Sequence, residues 1–139
     1  MSKVKIDLPP PTVAPCMLFC DSVIVEQGTG KTTLVGTFNG VAAESYPSPP
    51  TDFRIYVQLT SFVGDIPIRV VSLRADLPDA GEVYSTSHLV HFRGKLIVEQ
   101  FSVVWNQFQF PAPGEYVFQL WSQGQCIAER RLTARIKGE

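Results

Sequence analysis

Charge is what this sequence has least of: Asp, Glu, Lys and Arg make up 18% of its 139 residues, against the quarter usual for soluble domains. The 12 basic and 13 acidic side chains leave a net charge of −1. No global field draws in a polyanion, so nucleic acid is not an expected partner. A surface short of charge instead favours burial in an assembly. Histidine is scarcer still, with His88 and His91 alone. Three positions apart on an extended strand, they point to opposite faces and make no local chelate. Cysteine stops at Cys16, Cys20 and Cys126, an odd set in a chain with no export signal. Reduced, mostly buried thiols are expected, not a disulfide framework. Cys16 and Cys20 share a face, but four extended residues hold them about 13 Å apart. Only a zinc site assembled from the distant Cys126, His88 and Cys20 stays open.

Long apolar runs are missing as well, which excludes a membrane-spanning helix. Lys3 and Lys5 precede Leu8–Pro15, but proline interrupts the stretch where a secretory signal needs an apolar core. Export is therefore not expected, and the cytoplasm is the expected location. There is no Gly-x-Ser-x-Gly elbow and no cysteine in an electropositive setting. Asp65, Asp76 and Asp79 fall in turns whose chemistry accounts for them. No catalytic, cofactor-binding or metal-binding residue is expected, nor a cofactor, and the protein is read as no enzyme.

What is present is a run of short segments rich in Val, Ile, Phe and Thr, separated by Gly and Pro clusters. Residues 1–15 hold Pro9, Pro10, Pro11 and Pro15 and read as an extended proline-rich arm, in preference to a PxxP ligand. Residues 16–139 read as one domain, long enough to bury roughly 68% of the surface the unfolded chain exposes. Met17–Glu26 and Thr32–Phe38 flank a glycine-containing connection of hairpin length. Asn39–Thr51, with Pro47, Pro49 and Pro50, reads as a long loop. Phe53, Ile55, Val57 and Leu59 alternate with Arg54, Tyr56, Gln58 and Thr60, the clearest half-buried strand. Ile66–Leu77 is a strand whose apolar phase slips at Val70 and Val71, as a bulge would produce, and Pro78–Gly81 is a turn. Glu82–Phe92 and Leu96–Trp105 read as a pair joined by Arg93-Gly94-Lys95. Tyr116–Trp121 pairs with Cys126–Ile136. No segment has a helical period with caps. About eight strands at near-regular spacing predict an all-β, two-sheet antiparallel sandwich, immunoglobulin-like or similar. Pro113-Gly114-Glu115-Tyr116 fits the tyrosine corner of such folds.

Gly28-Thr29-Gly30-Lys31-Thr32-Thr33 imitates the tail of a phosphate-binding loop. The full spacing needs glycine where the chain has Val25, and the loop must lead into a helix, whereas Thr32–Phe38 reads as a strand. A hairpin turn is the better reading. Arg130, Arg131, Arg135 and Lys137 cluster near the C-terminus, but Glu129 and Glu139 dilute them, so they read as a solvated strand end.

The stretch Leu18-Phe19-Cys20-Asp21-Ser22-Val23, followed by the Gly-Lys turn and Leu34-Val35-Gly36-Thr37-Phe38, resembles the opening of a bacterial family of small uncharacterised β-sandwich proteins. The ending Pro113-Gly114-Glu115-Tyr116-Val117-Phe118, with Gly124, Ile127, Ala128, Glu129 and Leu132, is similar to that family's closing hairpin. The resemblance implies a fold and a bacterial intracellular setting, and it carries over no catalytic residues.

The aromatics bear most directly on role. On the strand 116–121, Tyr116, Phe118 and Leu120 share one face, and Val117, Gln119 and Trp121 share the other. With the first set in the core, Trp121 and Gln119 lie outside, where large aromatics mark contacts. The expected function is a protein-interaction or assembly module, with a protein partner or a second copy of the chain. The alternative is a small-ligand or carbohydrate-binding domain stacking its ligand on Trp121 or Trp105, with Asn106, Gln107 and Gln119 supplying amide hydrogen bonds.

Overall fold

Strand-forming side chains dominate the sequence, and the computed structural model, which describes residues 16–60, 62–77, 79 and 81–138, is built from nine strands with no α-helix among those residues. In chain order they are β1 Cys16–Val25, β2 Thr32–Phe38, β3 Gly40–Ala43, β4 Thr51–Leu59, β5 Gly64–Arg74, β6 Glu82–Phe92, β7 Glu99–Phe108, β8 Gly114–Ser122 and β9 Gln125–Ile136. Sheet A has the order β2-β1-β4-β7 and sheet B the order β3-β9-β8-β5-β6. Every pairing is antiparallel except that of β3 with β9, which makes sheet B mixed. The proline-rich arm expected over residues 1–15 lies outside the described residues, as do Pro78 and Ala80 of the turn expected at 78–81.

Alternation along each strand sends one row of side chains into a shared core. Phe53, Ile55, Val57 and Leu59 of β4 are buried, as are Tyr116, Phe118 and Leu120 of β8, so the face assignment read from the sequence holds for both strands. The ring of Phe118, in sheet B, lies 4.9 Å from Phe19 and 5.1 Å from Trp105, both in sheet A. Edge-to-face pairs of this kind add to the roughly 1.5–3 kcal/mol that full burial of one such side chain contributes.

The start of β8 is fixed by hydrogen bonds. The Tyr116 hydroxyl donates to the Ala112 carbonyl at 2.6 Å and accepts from the Ala112 N–H at 3.3 Å, which is the tyrosine-corner arrangement. Arg74 closes it from outside, with its guanidinium 5.1 Å from the Tyr116 ring centre and bound to Asp76. Gly114 has φ +147°, and a Cβ there would run into the Arg74 guanidinium and approach Asp76 Oδ2 to 2.6 Å. Only glycine fits beneath that ion pair.

Four expectations, three of them about the strands, need correction. Asn39–Thr51 is not all loop: Gly40–Ala43 forms β3, which pairs in parallel with Thr133–Ile136. Too short and too weakly patterned to stand alone, it is a strand only because β9 offers an edge. Second, Val70 and Val71 pair in regular register, and the shift comes between Ser72 and Leu73. Both valines are buried because β5 is an interior strand, with Val71 flanked by Gln119 and Ser85 on its neighbours. Third, β6 and β7 are not a hairpin, since β6 pairs with β5 and β7 with β4. The chain between them crosses from one sheet to the other. Leu96–Val98, read as the start of a strand, is instead a turn closed by the Ile97 N–H on the Gly94 carbonyl, and Thr60 Oγ1 donates to Lys95 O and Ile97 O. Leu96 is 97% exposed. Finally, the thiols are not mostly buried: Cys20 is buried, Cys16 intermediate and Cys126 exposed.

Candidate interaction surface

Sheet B's register sets three outward-facing residues in one row. Trp121 of β8 stands opposite Arg69 of β5, and Arg69 stands opposite Ser87 of β6. Together with Pro67, Gln123 and Gly124 they line a shallow depression of 350 Å³. Trp121 is half-buried, and its indole N–H donates to Gln119 Oε1 at 3.0 Å, while Gln119 Nε2 donates to Glu129 Oε2 at 3.2 Å. These bonds tie the indole to its own sheet, and Trp121 is among the residues lining the depression. Arg69 is steered by Glu82, whose two carboxylate oxygens each lie 2.6 Å from the same guanidinium nitrogen. Alternation identified Trp121 and Gln119. It did not identify Arg69, Pro67 or Ser87, because they join the patch through strand partnership, and a proline and a serine carry no signal of their own.

The second aromatic candidate falls elsewhere. Trp105 is 1% exposed and ringed by Phe53, Tyr84, Phe108 and Phe118, with no hydrogen-bond partner for its indole N–H. It is core and offers no stacking face. Asn106 and Gln107 belong to the end of β7 in sheet A, where the Gln107 N–H is bound to Asp52 Oδ1 at 2.7 Å. Gln119 belongs to sheet B. The ligand platform that combined Trp105, Asn106, Gln107 and Gln119 is therefore not assembled. Trp105 is buried in the core, and alternation alone could not tell which tryptophan faced inward.

The remaining reactive groups are dispersed. His88 Nε2 lies 3.0 Å from Thr86 Oγ1, and His91 Nδ1 lies 2.8 Å from Asp65 Oδ1 at the surface. Among the described residues no three His, Cys, Asp or Glu side chains gather as metal ligands would. Burial pushes the Cys16 and Cys20 thiols up, the opposite of an activated thiolate. The glycine loop is the connection of the β1–β2 hairpin, closed by the Glu26 N–H on Lys31 O at 2.7 Å and the Gly30 N–H on Glu26 O at 3.0 Å. It leads into β2 and not into a helix. Arg130 turns away from the other basic residues of β9 to donate to Asn39 Oδ1 at 2.7 Å. No helix among the described residues is long and apolar enough to cross a membrane.

A family model matches residues 15–135, spanning every described strand but the last residue of β9. The chain belongs to the family of unknown function DUF6941. No curated protein matches it. The DUF6941 match covers both the Trp121 row and the tyrosine corner.

Proposed function

We propose that this DUF6941 chain is a non-enzymatic protein-interaction module that associates with protein, copies of itself included, through the outer face of sheet B. The observation that carries it is Trp121, a large aromatic held by Gln119 on an outer sheet face and open to a shallow depression. A depression so shallow suits a protruding side chain or a second sheet better than an enclosed small molecule. Low charge content supports the same conclusion. The scaffold is an immunoglobulin-like sandwich forming one domain. Its support is the Tyr116 corner, the passage of consecutive strands β4 and β5 between the sheets, and β3 running parallel to the last strand. A bacterial setting, which the family resemblance implies, and a cytoplasmic one go with it; the free thiols Cys16, Cys20 and Cys126 fit a reducing compartment.

Light scattering at high micromolar concentration should find the wild type associated. Trp121→Glu should shift it towards monomer while its circular dichroism stays that of the wild type. A wild type that is monomeric, with Trp121 fluorescence fully open to a quencher, would refute self-association. A melting shift with a sugar panel would then favour the small-ligand alternative, now confined to Trp121 because Trp105 is buried.

A further inference from the structure

Among the described residues β6 is the outer strand of sheet B and pairs only with β5. From Tyr84 to Phe92 the pairing runs without a shift, so the opposite edge is a straight row of backbone donors and acceptors about 30 Å long. Natural edges of this length are blunted by lysine, proline, inward charge or a bulge. Tyr84–Phe92 contains no Pro, Lys, Arg, Asp or Glu, and the irregularity on β6 sits before it, at Val83, between Tyr84 and Glu82. Tyr84 is 47% exposed and Leu89 69% exposed beside this edge.

We propose that the free edge of β6 pairs antiparallel with β6 of a second copy of this chain, with Ser87 on the two-fold axis. The proposal rests on the self-association reading above and adds to the Trp121 face a second contact at the sheet's edge, from which β5 separates Trp121 and which Trp121→Glu leaves in place. An antiparallel seam about a two-fold axis sets one residue opposite itself, and the small Ser87 fills that position without crowding. Tyr84 then stands opposite Val90 of the second copy, an aromatic and β-branched pair of the favourable kind, and Thr86 stands opposite His88 with hydrogen-bonding groups on both. No like charges are opposed: Glu82, the strand's one carboxylate, reaches the far end of the second copy's β6 and is already bound by its own Arg69. The Trp121–Arg69–Ser87 row ends at this edge. Pairing through Ser87 continues it into the second copy's row, so two shallow depressions become one groove across a ten-stranded sheet.

The test uses the full chain with the exposed Cys126 replaced by Ser. Ser87→Cys should link two copies under mild oxidation, because directly opposed Cβ atoms about 4.5–5.5 Å apart come within reach of a disulfide. Leu89→Cys should not link, since its counterpart is about 13 Å away along the strand. Ser87→Arg sets two cations against each other and should raise the dimer Kd by about tenfold or more, with circular dichroism unchanged. A wild-type dimer that Ser87→Arg leaves intact, or that links through Leu89→Cys and not Ser87→Cys, overturns the seam and leaves self-association standing. A monomeric wild type overturns both.

Discussion

The two flanks of the molecule treat their exposed sheet edges differently. On one flank lie β2 and β3, joined through Asn39 alone. β2 is interrupted at Gly36, whose φ is +66° and against which the Asp21 carboxylate packs, and β3 is only four residues long. On the other flank lie β6 and β7, 11 and 10 residues long, drawn together by the Tyr84 ring 4.9 Å from Trp105. β7 is spoiled towards its end by the shifted pairing near Phe53 and by Gln107 at φ 56°, which leaves β6 as the long regular edge. A flank with a positive-φ glycine and a short strand resists pairing with another chain. A flank with a straight, uncharged strand invites it.

Phe118 bridges the two flanks, touching Phe19 next to β2 and Trp105 in β7. Phe118→Ala should cost about 3–5 kcal/mol, read from denaturant unfolding. A protein melting within a few degrees of the wild type would mean that the flanks do not share a core.

Gly36→Ala should cost about 1–2 kcal/mol, because an L side chain is strained at that φ and its Cβ would collide with Asp21. Unchanged stability would show that β2's interruption is not held by Gly36, and the contrast between flanks would weaken. Both effects depend on conformations that the sequence displayed unevenly. Phe118 was legible through strict alternation with Gln119, whereas Gly36 looked like any glycine in a strand until its φ was known.

A smaller effect concerns the crossover between β6 and β7, where Arg93 Nε lies 2.6 Å from Glu99 Oε1. Hydrogen bonding from Arg93 holds the Glu99 carboxyl below its usual range. A carboxyl whose folded pKa is depressed contributes stability above its unfolded pKa, about 4.3, and loses that contribution as pH falls through the folded value. The melting-temperature gap between wild type and Glu99→Gln should therefore be present at neutral pH and close on acidification below that range. A gap that persists in strong acid would show that Glu99 acts by packing and not by charge.

Least of all should happen at the β1–β2 turn. Lys31 is exposed, and Lys31→Ala should leave stability within about 0.5 kcal/mol. Micromolar ATP or GTP binding that this substitution abolished would make the blunted flank a ligand site and invert the comparison.

The Trp121 patch was half legible. Trp121 and Gln119 followed from a period of two along one strand, but Arg69 and Ser87 entered it only through pairing across β5 and β6. The mistaken hairpin of β6 and β7 has the same origin. The apolar Leu96–Val98 imitates the start of a strand, and nothing local reveals that Thr60 pins the backbone there as a turn. By itself the sequence determined the β class, the inward and outward rows of β4 and β8 and the corner at Tyr116, since each follows from steric and hydrogen-bonding rules acting over a few residues. Only the tertiary structure decided which strands are neighbours, which tryptophan is buried and which edge is left free, because strand partnership joins residues far apart in the chain, and no local period encodes that choice.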